Sequence, residues 1–300
     1  MKGWVDLHLH TTRSDGSMNP SEIVGYAKTK GLRAIAITDH DTASGNEEAI
    51  LEGVRQGVEV IPGVELSICF PHGELHILGY FIDYDSPALH ATLLELREHR
   101  KRRNPLIIQK LADLGMPLDL AVIRRRANNG NVGRPHIATA MVESGYVATI
   151  KEAFNLYLRK DGPAYVPKEK LTAVEGLQLI RQYGGLPVLA HPQTLEFERF
   201  ELLEAFARTL REHGLAGIEA YYQGQSAQSR RFADLADRLD LCKTGGSDFH
   251  GLYKGNIEIG TGRGTARWPY QLVEELKARL PRTHPFLSRE TAKVRPWLHF

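Results

Sequence analysis

The sequence has little cysteine, no excess of charge of either sign and no long hydrophobic run. Its 300 residues contain two cysteines, Cys69 and Cys242, which excludes a small secreted fold held together by disulfides. We expect both thiols to be buried and the compartment to be reducing. The 38 basic and 36 acidic residues leave a net charge of +2, which excludes a polybasic nucleic-acid coat protein and an acidic tail protein.

Membrane segments and the common nucleotide motifs are also absent. No stretch approaches the roughly 18 apolar residues that a spanning helix needs, and the first residues contain no apolar signal segment. We therefore expect a cytoplasmic protein with no membrane partner and no obligate protein partner. Neither G-x-x-x-x-G-K-[ST] nor G-x-G-x-x-G follows a candidate strand, which argues against a nucleoside-triphosphate or dinucleotide site.

Short apolar runs alternate with amphipathic segments, which predicts an α/β fold of parallel strands joined by helices. The first helix should begin at Pro20, because Asn19 can cap it and proline suits the first turn. The predicted strands are residues 4–10, 34–39, 58–65, 76–81, 186–190, 217–221 and 242–245.

Residues 89–165 break this alternation, because helical patterns dominate them. We predict a barrel domain of residues 1–88 and 166–300 and a helical insertion subdomain of residues 89–165 that covers the active site. Residues 95–130 carry nine basic and four acidic side chains. This excess is typical either of a solvated helical face or of a surface that faces an anion.

The predicted strands repeatedly end in His, Asp or Glu. His8 and His10 lie on one face of their strand, because side chains alternate along a strand. In a parallel barrel the carboxyl ends of the strands meet at the active face, so residues scattered in sequence converge there. The candidates are His8, His10, Asp15, His40, Glu65, His76, His191, Asp248 and His250.

Mixed imidazoles and carboxylates suit divalent ions such as Mn, Zn and Fe. Nine ligands are too many for one ion, which favours two or three ions that share carboxylate bridges. A single histidine at a strand end is more often a hydrogen-bonded structural residue than a ligand, so the prediction depends on the joint pattern.

Six motifs, in order along the chain, resemble those of the PHP (polymerase and histidinol phosphatase) family. They are Asp6-Leu7-His8-Leu9-His10, Ser14-Asp15-Gly16-Ser17, Thr38-Asp39-His40-Asp41, Gly63-Val64-Glu65, His191-Pro192 and Gly246-Ser247-Asp248-Phe249-His250. The resemblance implies a distorted seven-stranded (β/α) barrel with a phosphoesterase site of two or three metals.

The resemblance also implies a ligand set for each ion, with Glu65 as the bridge. The sets are His8, His10, Glu65 and Asp248 for one ion, Asp15, His40 and His250 for a second, and Glu65, His76 and His191 for a third. Manganese is the expected metal, with zinc or iron as alternatives.

Within the family, the run Val132–Ala138 resembles a stand-alone branch that includes nucleoside 3′,5′-bisphosphate phosphatases and an RNA 5′-exonuclease. This implies that Arg134 and His136 approach the substrate phosphate. The fork of donors on Arg134 matches a phosphate, although a loop arginine paired with a carboxylate is the alternative interpretation. Relatives often carry a histidine after the strand that ends near residue 220, where this chain has Tyr221 and Tyr222. Either tyrosine could stack on a base or pack at the rim.

The expected activity is hydrolysis of a nucleotide phosphate monoester, a nucleoside 3′,5′-bisphosphate in the first instance, by a metal-bridging hydroxide. His191 is a candidate acid for the leaving group unless it binds the third ion. The alternatives are a 5′-3′ exonuclease on short RNA, a histidinol-phosphate phosphatase and a non-catalytic metal-binding module. The basic insertion disfavours histidinol phosphate, and the complete ligand set disfavours a non-catalytic module.

Overall fold

The fold is built on one mixed β-sheet. The structure is a computed structural model, and it describes residues 3–71, 73–126, 132, 134–166, 171–223, 227–254 and 256–287. The strands are β1 (Trp4–Leu9), β2 (Leu32–Ile37), β3 (Glu59–Ile68), β4 (Leu75–Tyr80), β5 (Leu186–Leu189), β6 (Gly217–Tyr222), β7 (Cys242–Gly246) and β8 (Trp268–Pro269). The helices are α1 (Pro20–Thr29), α2 (Asn46–Gln56), α3 (Pro87–Asp113), α4 (Leu120–Arg126), α5 (Arg134–Glu143), α6 (Ile150–Ala153), α7 (Ala173–Gln182), α8 (Phe200–Glu212), α9 (Ala227–Arg238) and α10 (Gln271–Arg279).

The strands lie in the order β7-β6-β5-β4-β3-β2-β1-β8. Strands β1 to β3 are parallel to one another, and so are β5 to β7. The sheet closes on itself where Leu9 pairs with Phe249 and the His10 N–H donates to the Phe249 carbonyl at 3.0 Å. The predicted α/β barrel is confirmed, and each predicted strand is present with its ends within three residues.

Strand β4 departs from the parallel pattern of the other long strands. This strand runs antiparallel to both β3 and β5, and the register pairs Ser67 with His76. A hairpin connects β3 to β4, so the amino end of β4 reaches the rim at which the other strands end. The two-residue strand β8, antiparallel to β1, was not predicted.

Local sequence signals explain where the first helices begin and end. Asn19 Oδ1 accepts the Glu22 N–H at 2.8 Å, and the Glu22 carboxylate accepts the Asn19 N–H at 2.8 Å, which forms a capping box at the start of α1. Gly57 ends α2 with a φ of 69°, a conformation that glycine adopts without strain. The predicted start of α1 at Pro20 is confirmed.

The chain divides into two compact units, a first unit of residues 1–91 and 171–300 and a second unit of residues 92–170. In the first unit, one apolar cluster packs α1 and α2 against β1 and β2, and another includes Trp268 and Tyr80. The second unit has its own cluster around Ile107, Ile137 and Met141. That the helical segment covers the active site stays a prediction.

The two cysteines differ in environment. Cys242 is buried at the start of β7, but Cys69 is exposed, so the prediction that both are buried is wrong for Cys69. Cys69 follows the last residue of β3, where the chain leaves the sheet. In the part of the chain that the structure describes, no helix is both long enough and apolar enough to cross a membrane.

Candidate metal centre

His8 lies in β1 and His10 follows directly after it, at a stretch where β1 shifts its register against β2 between Asp6 and Leu9. Both histidines are fully buried, and their Nε2 atoms lie 3.1 Å apart. Gly246 on β7 allows this position for His8, because a β-carbon on Gly246 would collide with the His8 side chain.

Glu65 lies at the centre of the cluster, at the rim end of β3. Its Oε2 lies 3.3 Å from His8 Nε2, 3.2 Å from His10 Nε2 and 3.2 Å from His40 Nδ1. Its Oε1 is 2.9 Å from His76 Nδ1 and 2.9 Å from His191 Nε2. One carboxylate therefore contacts five imidazoles.

Two further carboxylates complete the cluster. Asp15 lies 3.5 Å from His10, 3.8 Å from His40 and 3.4 Å from His250. Asp248 Oδ1 lies 3.2 Å from His10 Nε2, 3.7 Å from His8 Nε2 and 3.4 Å from His250 Nδ1. All nine candidate ligands thus lie together in the first unit.

Three groups of donor atoms are close enough to hold an ion. They are His10, Asp15, His40 and His250; His8, His10 and Glu65; and His40, Glu65 and His76. These groups overlap with the predicted sets but place His10 and His40 in two groups each. His191 joins Glu65 and His76 through the contacts described above.

The burial of charge fits divalent cations in this cluster. Six carboxylates are buried in the first unit: Asp6, Asp39, Asp41, Glu65, Glu219 and Asp248. Among the described residues the one buried basic side chain of Lys or Arg type is Arg103, in the second unit. Three of them, Glu65, Glu219 and Asp248, face histidines of the cluster. Buried charges need a partner of opposite sign, which bound cations or protonated histidines provide at this place. Glu65 Oε2 and His40 Nδ1 are moreover buried with no hydrogen-bond partner among the described residues, as expected for atoms that face an ion.

The pKa values of two histidines in the cluster are shifted in opposite directions. Burial alone would lower the pKa of His10, but the Asp248 and Glu65 carboxylates raise it to about 10. Burial dominates at His40 and lowers its pKa to about 3. Despite burial, the surrounding histidines hold the pKa values of Glu65 and Asp248 well below the usual range.

Comparisons with known proteins agree with this geometry. Residues 6–146 match the model of the PHP domain. A 3′,5′-nucleoside bisphosphate phosphatase from Chromobacterium violaceum is 31% identical over 280 residues, which cover 93% of this chain and 98% of that protein. The chain belongs to the PHP domain family.

Two further matches extend the comparison. A 5′-3′ exoribonuclease from Salmonella typhimurium is 36% identical over 82% of this chain and 84% of its own length. A solved structure from Chromobacterium violaceum, described as an amidohydrolase with bound sulfate and no metal, is 31% identical, with a TM-score of 0.74 over 93% of this chain and 97% of that one. The predicted family and the predicted class, a phosphoric ester hydrolase, are confirmed.

The two predicted phosphate-binding residues lie in the second unit, on α5. Arg134 is the first residue of α5 and donates from Nη1 to the Leu158 carbonyl at 2.9 Å. Its guanidinium carbon lies 5.7 Å from the centre of the Phe154 ring and 5.9 Å from that of Tyr165. His136 lies in the first turn of α5, and Gly133 lies outside the described residues. A role for Arg134 and His136 at the substrate stays a prediction.

Buried carboxylates outside the predicted set hold the loops that carry the PHP motifs. Asp39 accepts hydrogen bonds from the Thr11 N–H at 2.7 Å and the Ser14 hydroxyl at 2.6 Å, which fixes the loop that presents Asp15. Asp6 accepts the N–H groups of Ser247 at 2.9 Å and Gly260 at 2.7 Å. Burial raises the pKa of Asp6 to about 6.

Two residues outside the predicted ligand set contact the cluster. Glu219 in β6 lies 2.9 Å from His8 Nδ1, and the Tyr222 hydroxyl donates to Asp248 Oδ2 at 2.9 Å. The signal for Glu219 was present, because a lone carboxylate inside the apolar run Gly217–Tyr222 is rarely buried without a partner. Tyr222 also meets His191 edge-on, with ring centres 5.5 Å apart. For Tyr222, packing at the rim is thus observed.

Proposed function

We propose that this protein hydrolyses a phosphate monoester of a nucleotide, in the first instance a nucleoside 3′,5′-bisphosphate, at a centre of two or three divalent ions. The convergence of nine histidine and carboxylate donors around Glu65 supports this proposal. Manganese is the metal we expect, because imidazole mixed with carboxylate suits it, and zinc and iron are the alternatives. The relative named as a 3′,5′-nucleoside bisphosphate phosphatase, which matches over nearly its whole length, supports the substrate class.

The proposed ligands keep the sets implied by the family, with Glu65 as the bridge. These are His8, His10, Glu65 and Asp248; Asp15, His40 and His250; and Glu65, His76 and His191. When bound, divalent ions in such a site polarise phosphoryl oxygens and provide a nucleophile from water at neutral pH.

The residues of the chain prepare these donors. His40 is neutral at pH 7, because burial lowers its pKa to about 3, so its ring can coordinate without losing a proton. The Thr194 hydroxyl lies 3.0 Å from His191 Nδ1 and fixes that ring, while His191 Nε2 faces Glu65. Because both ring nitrogens of His191 are engaged, we assign His191 as a ligand and not as the acid that protonates the leaving group.

We further propose that Arg134 and His136 bind the substrate phosphate. The Leu158 carbonyl uses one N–H of the Arg134 guanidinium, which leaves other donors of its five for phosphate oxygens. Such a fork pairs with a phosphate bidentately, and its positive charge would attract the phosphate in the bound substrate as well as in the transition state.

Product analysis tests the proposal directly. The Mn²⁺-loaded protein is incubated with adenosine 3′,5′-bisphosphate, and 3′-AMP is resolved from 5′-AMP. Formation of one AMP isomer supports the proposal and identifies the phosphate that is cut. Histidinol phosphate is run in parallel, and release from it alone would contradict the nucleotide substrate. Absence of release from any phosphate ester would favour the non-catalytic module.

A second candidate is 5′-3′ hydrolysis of short RNA, because a relative that is 36% identical is named a 5′-3′ exoribonuclease. An RNA of about five nucleotides with a 5′-phosphate distinguishes the two functions. Stepwise shortening from the 5′ end favours the exonuclease. An affinity that falls steeply with added salt would indicate contacts along an extended phosphate backbone, which a single nucleotide cannot make.

A further inference from the structure

Glu219 is a carboxylate at the centre of an apolar strand. It lies in β6 between Ile218 and Ala220, and its side chain is fully buried. Both carboxylate oxygens nevertheless have a partner. Oε1 lies 2.9 Å from His8 Nδ1, and Oε2 accepts the backbone N–H of His191 at 2.7 Å. Burial of a charged group costs free energy unless the group has partners, so the two groups that Glu219 contacts explain why a carboxylate occurs at this position.

The first partner, His8, uses its two ring nitrogens differently. Nδ1 faces Glu219, while Nε2 faces His10 Nε2 at 3.1 Å, Glu65 Oε2 at 3.3 Å and Asp248 Oδ1 at 3.7 Å. A carboxylate that accepts the Nδ1–H of a histidine leaves the Nε2 lone pair available for a metal and makes that nitrogen more basic.

The second partner, His191, has an unusual backbone. Its φ of 25° and ψ of 62° lie in the left-handed region, which residues other than glycine seldom adopt. Surrounding contacts must stabilise such a conformation. The bond from the His191 N–H to Glu219 is one such contact, and this backbone turns the His191 ring so that Nε2 lies 2.9 Å from Glu65 Oε1.

We propose that Glu219 is a positioning residue that holds His8 and His191 at the same time and so couples two parts of the metal centre. The inference rests on the proposed function, because both histidines belong to the proposed ligand sets. Glu219 touches neither substrate nor metal. It acts through the tautomer of His8 and through the backbone of His191.

Glu219→Gln is a sharp test, because glutamine has nearly the same shape but only one acceptor oxygen. Its amide can accept from His8 or from His191, but not from both. If the amide NH₂ faces His8 Nδ1, the neutral ring must carry its proton on Nε2, which blocks coordination. If the NH₂ instead faces the His191 N–H, two donors oppose each other.

The experiment measures Mn²⁺ affinity and stoichiometry by titration calorimetry for wild type, Glu219→Gln and the control Thr244→Val. Thr244 is the register partner of Glu219 on β7 and is fully buried, and valine has nearly the same shape as threonine. We expect Glu219→Gln to weaken Mn²⁺ binding about 10- to 100-fold and Thr244→Val to bind as wild type. Equal affinity for Glu219→Gln and wild type would overturn the inference.

A spectroscopic readout separates positioning from a general structural role. In the Zn²⁺-loaded protein, long-range ¹H–¹⁵N spectra should show His8 protonated at Nδ1 in wild type and at Nε2, or uncoordinated, in Glu219→Gln. An unchanged His8 signal would contradict the inference. If Glu219→Gln does not fold, Glu219→Asp keeps the charge but is one methylene too short for both bonds, and it should still lose Mn²⁺ affinity.

The wild-type arm separates this inference from the proposed function. If the wild-type protein binds Mn²⁺ and releases phosphate, and if Glu219→Gln does the same equally well, only the role of Glu219 is overturned. A wild-type protein that binds no divalent ion would overturn the proposed function and the positioning role with it.

Discussion

The hydroxyl of Tyr222 donates a hydrogen bond of 2.9 Å to Oδ2 of Asp248, and the other oxygen of Asp248 faces the histidines of β1. Gln223 Nε2 donates to the same hydroxyl at 2.8 Å, so the hydroxyl hydrogen is directed to the carboxylate. Burial and the Asp248 charge raise the pKa of Tyr222, which keeps it a donor. The bond therefore decides which oxygen of Asp248 is offered to a metal.

We predict that Tyr222→Phe weakens Mn²⁺ binding about tenfold, since a hydrogen bond to a charged group is worth about 1.5–3 kcal/mol and part of this is recovered by water. Calorimetric titration measures the affinity. Tyr221→Phe is the matched control, because the neighbouring side chain on β6 points to the opposite face and packs against the apolar cluster of Trp268. Equal losses in both variants would argue against a specific role for Tyr222.

Asp248→Ala should abolish turnover while the fold is retained. The substitution removes the carboxylate that faces His8, His10 and His250 and leaves the other side chains of the barrel as they are. Phosphate release measures turnover, and circular dichroism checks the fold. We expect the same result for His10→Ala. Asp237→Ala is the control, because Asp237 is an exposed residue of α9 whose ion pair with Lys243 lies on the surface. A normal rate for Asp248→Ala would show that the ligand assignment is wrong.

Metal binding should depend on pH through the histidines and not through the carboxylates. In the metal-free protein the pKa of His10 is raised to about 10, so this ring holds a proton at pH 7 and must release it to bind a metal. Affinity should therefore rise with pH, about tenfold per unit for each proton released. The carboxylates stay ionised, because the pKa values of Glu65 and Asp248 are lowered. Activity at limiting Mn²⁺ should fall steeply below about pH 6.

Calorimetry in two buffers of different ionisation enthalpy counts the released protons. Substitution of His40 by Ala serves as the control: it should lower affinity but leave the proton count unchanged, because the pKa of His40 is lowered to about 3 and the ring is already neutral. A flat activity profile from pH 5 to 8 at limiting Mn²⁺ would count against the proposed site.

Arg134→Ala should raise the KM for the bisphosphate about tenfold or more, with a smaller effect on kcat, because the lost donors serve ground-state and transition-state binding alike. Arg134→Lys keeps the charge but loses the fork, and should recover only part of the affinity. The thermal midpoint is measured as well, since Arg134 also donates to the Leu158 carbonyl. A KM equal to that of wild type in both variants would exclude Arg134 from the substrate site.

Much of the fold could be predicted because buried strands leave apolar runs of characteristic length. The register of β4 could not, since the pairing of Ser67 with His76 forms only in the folded sheet. The strand β8 consists of Trp268 and Pro269, too short a segment to carry any periodicity.

The candidate ligands were predictable because polar residues at strand ends are conspicuous among apolar neighbours. The residues that orient them were not, because their role depends on contacts across the barrel. The apolar run around Glu219 signals a buried carboxylate, but its partner His8 is identified only from the distance between them, and the partner of Tyr222 only from the contact of its hydroxyl with Asp248. The grouping of His10 and His40 with two sets of donors likewise follows from distances.

The link between His8 and Glu219 spans 211 positions of the chain. Contacts of such separation close large loops and therefore form late in folding. During synthesis, His8 and His10 can contact Glu219 and Asp248 only after β6, β7 and the residues that follow β7 have left the ribosome. A nascent chain that ends before residue 217 contains His8 and His10 but lacks Glu219 and Asp248, and we expect it to compete poorly for metal ions until the barrel closes.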